Sequence, residues 1–408
     1  MKKLYFLPGS SKRRRPAAIF LAAALGLGGC ASTGPEAMKA SRIAYNTALQ
    51  ETARNELLLN LVRLRYVDSP EFLEVAAISS QLTLDASASL GGAVGDDDGA
   101  ESWLALPRVD VGFSSRPTIT FSPQRERDFT RRLLAPVDAD TLQALVHYGW
   151  GLDRVLRLTV QEMNGLVNAT TRENPSEDYR LALREFADVA TGLGDLHARG
   201  AVAWTVEAEP TPVSAALPAD QVELSDLLQA TRSGAELRYD ADGDNYRLMR
   251  PGRRHVLGLG PDGLRQRKLL SRLGLAAGRT SYEIQLGPPA DSDTDASEAL
   301  SLRTRSVLGI MAYLSQGVSV PDAHLADGTV AAAARSGSPI TDLFRVQVAE
   351  KRPASTVLAV PYRDFWFYIP TNDLEARRTL GLLDYLLRLN VTAGGASGAP
   401  ILTLPVGR

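Results

Sequence analysis

The chain carries a single cysteine, Cys30, and only four histidines in 408 residues. One thiol excludes a disulfide, a CxxC redox pair and a thiolate metal site. His147, His197, His255 and His324 are scattered, so no HExxH pair sets two ring nitrogens on one helix face. A GxSxG elbow, a Walker-type phosphate loop and a GxGxxG turn after a strand are all missing. The sequence therefore names no catalytic residue, no metal ligand and no cofactor. A hydrolase built from distant residues stays open, because such triads are recognised by geometry and not by chain order.

Long hydrophobic runs are missing too. The most apolar stretch, Ala17 to Leu27, falls short of the roughly 20 residues a membrane-crossing helix needs. It follows Lys2, Lys3 and the run Lys12-Arg13-Arg14-Arg15, the order of a signal peptide. It ends in Leu27-Gly28-Gly29-Cys30, which resembles the bacterial lipobox: a leucine, two small residues, then the thiol that receives lipid. The expectation is a lipoprotein signal over 1–29, lipidation of Cys30, and a short tether over 30–35 that keeps a soluble body near the bilayer. Ala31 and Ser32 follow with no aspartate beside the cysteine. That resembles the enteric pattern for the outer membrane, and the periplasmic face is the expected location.

Removing residues 1–29 and their six basic groups leaves 39 basic against 47 acidic residues, a net charge of −8. An acidic chain is poorly suited to nucleic acid, where affinity comes from neutralising phosphates.

Periodicity organises the rest as α+β. Helix formers run from about Glu36 to Tyr66 and close on Leu57, Leu58, Leu61, Val62 and Leu64. Asp68-Ser69-Pro70-Glu71 has the order of a helix start. From Val75 the period is two: Ile78, Leu82, Leu84, Ala86, Ala88 and Leu90, then Val109, Val111, Phe113, Ile119 and Phe121. The intervening glycine- and aspartate-rich residues 91–101 make this a long β-hairpin, read either as two ordinary sheet strands or as an arm that reaches a partner. Helices are expected over about 125–134, 141–148 and 176–198, with a strand over 154–160. Two recurring β-α-β-β-β-α-β modules are then expected, over 201–287 and 298–408 with a linker at 288–297, following a helical and hairpin region over 36–200.

Four segments resemble a family of uncharacterised Gram-negative bacterial lipoproteins: Asn55 to Tyr66, Thr304 to Ile310, Phe365 to Pro370 and Leu402 to Gly407. The resemblance implies a shared fold and address and brings no catalytic or binding residues.

Three local patterns invite chemistry. Asp240, Asp242 and Asp244 alternate like calcium ligands, but an EF-hand needs glycine at its sixth and glutamate at its twelfth position, where Asn245 and Pro251 stand. A hairpin turn is the expectation, and Asp291, Asp293 and Asp295 read as solvated linker. Tyr362, Phe365, Trp366, Phe367 and Tyr368 straddle Arg363-Asp364, which suggests two strands around a tight turn, packed as core or open as a glycan-stacking platform. Arg247, Arg250, Arg253, Arg254, Arg265, Arg267, Lys268, Arg272 and Arg279 stand within one window against the single acid Asp262. Guanidinium groups suit bidentate anion binding, so this window is a candidate docking surface. The expected function is binding, as a scaffold or accessory part of an envelope assembly with a protein partner. The alternatives are an enzyme on cell-wall or lipid substrates and a glycan-binding module.

Overall fold

The computed structural model describes residues 30–93, 104–123, 127–168, 177–240, 243–288, 297–330 and 339–392. The expected signal segment 1–29, the expected hairpin tip, Asp242, most of the expected linker and an expected strand at Ile401 to Leu404 lie outside the described residues. The fold is α+β. No helix among the described residues is long and apolar enough to cross a membrane.

Helix α1 (Cys30–Arg65) begins at Cys30 itself, so residues 30–35 are helical and not an extended tether. Its last turns carry the expected stripe: Leu57, Leu58, Leu61 and Val62 are buried at the i, i+3, i+4 spacing of one helix face. From Cys30 to Leu57 the helix spans about 40 Å at 1.5 Å per residue. Residues 42–53 on this stretch are almost all exposed.

Strands β1 (Leu73–Ala93) and β2 (Leu104–Pro123) form the expected hairpin, antiparallel in continuous register apart from one irregularity between Val75 and Ala77. At roughly 3.3 Å per residue the ribbon is about 66 Å long. The expected helix start at Asp68 is instead an irregular segment leading into β1. The reason is competition for the cap: the Asp68 carboxylate accepts from the Tyr362 hydroxyl and from Arg363 Nη2, and the Glu71 N–H donates to Asn60 Oδ1.

Helices α2 (Arg127–Leu134), α3 (Ala139–His147) and α4 (Leu152–Thr159) follow. The strand expected over 154–160 is helical up to Thr159. Leu152, Val155, Leu156 and Thr159 are all buried, and this spacing serves a helix face better than a strand. Strands β3 (Val160–Met163) and β4 (Leu166–Val167) then turn through Asn164 and Gly165, both at positive φ (45° and 84°), the left-handed pair that a two-residue hairpin requires.

After α5 (Glu177–Ala198) come β5 (Val202–Ala208), β6 (Thr211–Pro212), β7 (Leu217–Pro218), α6 (Leu224–Arg232), β8 (Glu236–Asp240), β9 (Asn245–Arg250), β10 (Arg253–Leu259), α7 (Pro261–Leu264), α8 (Arg267–Arg272), β11 (Ser281–Leu286) and β12 (Ala299–Thr304). The main sheet has the order β4-β3-β12-β11-β10-β5. Only β11 and β12 run parallel. Their pairing carries the sheet across the expected linker, so the first strand assigned to the C-terminal module lies in the sheet of the preceding one. Strands β6, β7 and β8 flank β9 in a small satellite sheet.

The chain ends with α9 (Val307–Ser315), α10 (Asp322–Ala326), the sheet β13-β15-β14 and α11 (Leu374–Thr392); the strands are β13 (Gln347–Ala349), β14 (Thr356–Tyr362) and β15 (Phe365–Pro370). One hydrophobic cluster runs from Leu57 on α1 to Leu386 on α11 through both regions. Two buried arginines brace it. Arg305 donates to the carbonyls of Leu158, Val160 and Asn168 at 2.9, 2.7 and 2.7 Å and lies 4.1 Å from the Tyr313 ring centre. Arg154 joins α4 to Glu375 and Thr379 on α11.

Candidate functional site

The longest paired element is the β1–β2 ribbon, a two-stranded sheet of its own. Neither strand pairs with a third among the described residues, so both long edges are open. Its root, by contrast, is tied down at every step. Asn60, fully buried, donates from Nδ2 to the Glu71 carbonyl at 2.7 Å and accepts the Glu71 N–H at 3.0 Å. The Glu56 carboxylate accepts the Leu73 N–H at 2.8 Å, and the Phe72 ring packs 5.4 Å from Phe129. Burial raises the Glu56 pKa, opposed by the Leu73 hydrogen bond and by Arg63.

A second layer holds the turn before the root. The Tyr66 hydroxyl lies 2.7 Å from His324 Nδ1, and its ring meets Tyr362, Phe367 and His324 edge-on. Burial drives the Tyr66 pKa up to about 12. Hydrogen bonding from Tyr362, with help from Arg363, holds Asp68 below the ordinary carboxylate value. Between them Val67 is 91% exposed at φ 62°, a left-handed conformation that a β-branched residue adopts only when its surroundings enforce it. The root is thus a rigid bracket made by α1, α2, α10 and the β14–β15 turn, with the ribbon projecting from it.

The aromatic cluster forms part of this bracket. Arg363 and Asp364 both have positive φ (46° and 68°), as the expected tight turn requires. Phe367 is fully buried and Tyr362, Phe365, Trp366 and Tyr368 are partly buried. The ring faces are spent on neighbours: His324 against Phe365, Tyr66 against Tyr362, Arg352 over Trp366.

The basic window is spread over β9, β10, α7, α8 and the loop before β11, and acids from distant elements meet much of it. Arg254 pairs with Glu207 and Glu209, Arg253 with Asp140, Arg272 with Glu185 and Asp188, Arg279 with Glu298, and Arg265 with Asp262. Arg254 sits directly across the β10–β5 ladder from Glu207. Arg247, Arg250, Arg267 and Lys268 are exposed. A count along the chain missed these acids because sheet pairing and helix packing supply them from remote positions.

No group of three or more metal-ligating side chains occurs among the described residues. At the aspartate turn, Asp244 Oδ1 accepts the Tyr239 hydroxyl at 2.7 Å and Asp240 pairs with Asn245 across the ladder. The histidines serve separate contacts: His255 receives the Trp204 indole N–H at 3.2 Å, and His147 lies against Gln143. A shallow cleft of about 240 Å³ lies between α1 and α11, with Leu358, Ile369 and Leu380 on its floor and Arg54, Arg377 and Arg378 at its rim. No protein-family model matches the chain, and no curated protein or solved structure matches it either.

Proposed function

We propose that this protein is a lipoprotein, anchored through Cys30 at the periplasmic face of the outer membrane, that acts by binding as a structural component of an envelope assembly. The observation that carries this reading is the ribbon: forty-odd residues in two strands whose edges are unpaired among the described residues, held at the root by side-chain hydrogen bonds from Asn60 and Glu56. An isolated two-stranded hairpin is marginally stable in water, and exposed edges template pairing with other chains. A chain that builds a rigid root for such an element gains an arm whose partner lies outside the body. The lipobox-like segment before Cys30 and the resemblance to Gram-negative lipoproteins support the location.

The test is affinity purification of the full chain from membranes beside a chain in which 78–119 is replaced by a short glycine turn. Envelope proteins recovered with the first should be lost with the second; identical recovery would remove the ribbon from the function. Cys30→Ser should abolish incorporation of radiolabelled fatty acid, and equal labelling would refute the anchor.

A further inference from the structure

We propose that the ribbon crosses a membrane, and that ribbons from several copies of this chain pair edge to edge into one closed β-barrel. This rests on the binding reading above and names the partner as further copies of the same chain. The register carries the argument. Ile78 faces Ile119, Leu84 faces Phe113, Ala86 faces Val111, Ala88 faces Val109 and Gly92 faces Ala105. Because alternate residues share a face, these pairs lie on one side of the ribbon. With Ser80/Pro117, Leu82/Ser115 and Leu90/Pro107, that side holds no charged position from 78 to 92. The other side pairs Gln81 with Arg116, Asp85 with Gly112, Ser87 with Asp110 and Ser89 with Arg108, two acids and two bases among small polar residues. This is the alternation of a barrel strand, apolar toward lipid and polar toward an aqueous interior.

The lengths agree. Leu82 to Gly92, opposite Ala105 to Ser115, supplies the roughly 9 to 11 residues that a tilted strand needs to cross the hydrocarbon layer.

The edges make insertion and assembly one event. In hydrocarbon each unpaired backbone group costs several kcal/mol, which only closure removes, so a lone ribbon stays out of the membrane. Pro107 and Pro117 are ten residues apart and lack an N–H, so both fit positions whose N–H would point away from β1. They remove donors at two places on that edge and leave Val109, Val111, Phe113 and Ser115 free to pair between them. Charge favours the joint: β1 contributes Asp85 alone to the polar side, and the β2 of the next copy brings Arg108 and Arg116 against one acid, Asp110. Closing even an eight-stranded barrel takes about four copies.

The test uses the full chain, extracted from membranes in detergent, with native mass measured and conductance recorded in planar bilayers. The expected result is a discrete oligomer of at least four copies that forms ion-conducting channels. Ala88→Arg, on the lipid side, should cut channel insertion at least tenfold while leaving the unfolding midpoint of the body unchanged. Ser87→Lys, on the other side, should insert as wild type and shift selectivity toward anions. A monomer without conductance, an Ala88→Arg chain that inserts as wild type, or a Ser87→Lys chain with unaltered selectivity overturns the barrel. If the barrel fails while envelope proteins still co-purify through residues 78–119, the binding reading stands with a different partner; if both fail, the reading itself is wrong.

Discussion

Two antiparallel hairpins in this molecule obey the same alternation and meet opposite fates. The β14–β15 hairpin turns through two left-handed residues, gains β13 at one edge and buries Val360, Phe367 and Ile369. The β1–β2 ribbon is much longer, yet gains no third strand among the described residues. Hydrophobic burial stabilises the first from within, at roughly 1.5 to 3 kcal/mol for each large apolar side chain. What distinguishes them among the described residues is the third strand, which β13 supplies to β15 and no element supplies to the ribbon.

The comparison can be broken first at the core. Leu58, fully buried on α1 in the shared hydrophobic cluster, should cost about 2 to 5 kcal/mol on replacement by alanine, read as a lowered urea midpoint. Asn60→Ala should cost about 1 to 3 kcal/mol, because it leaves the partly buried Glu71 carbonyl and N–H without their Asn60 partner; amide exchange should accelerate at Glu71 while the far side of the core is unchanged. Phe113→Ala on the ribbon should shift the body's midpoint by less than about 0.5 kcal/mol, as changes away from packed features do. A large loss there would mean that the body leans on the ribbon.

Acid should loosen the root selectively. Asp68 has a lowered pKa in the folded chain, so its contribution is present above its ordinary value of 3.8 and is lost as the pH falls through the lower folded value. Glu56 is raised, so its contribution runs the other way, present below 4.5 and lost as the pH rises through the folded value. Asp68→Asn should therefore flatten the acid limb of exchange at the root; an unaltered limb would assign it to another carboxylate.

Much of the fold was legible because its signals are local. The helix stripe of Leu57, Leu58, Leu61 and Val62, the period-two runs and the Arg363-Asp364 turn each follow from neighbouring residues. The helix over 152–159 was not, because Val155, Arg157 and Thr159 also alternate, and the deciding fact is that Leu152 and Leu156 are buried on the same face. The Asn164-Gly165 turn was a readable hairpin signal that the strand assigned to 154–160 obscured. The root was invisible in sequence order: Asp68 resembles a helix cap until Tyr362 and Arg363, nearly 300 residues away, take its oxygens. The same distance hid the acids that offset the basic window.

The central claim is that the ribbon's open edges are completed by other copies in the membrane. Amide exchange across 78–92 and 105–119 tests it most directly, comparing the wild-type chain in membranes with the Ala88→Arg chain kept out of the bilayer as a monomer. The outward-pointing amides of Val109, Val111 and Phe113 should be protected in the membrane and exchange freely in the monomer. Equal, rapid exchange in both states would contradict the account.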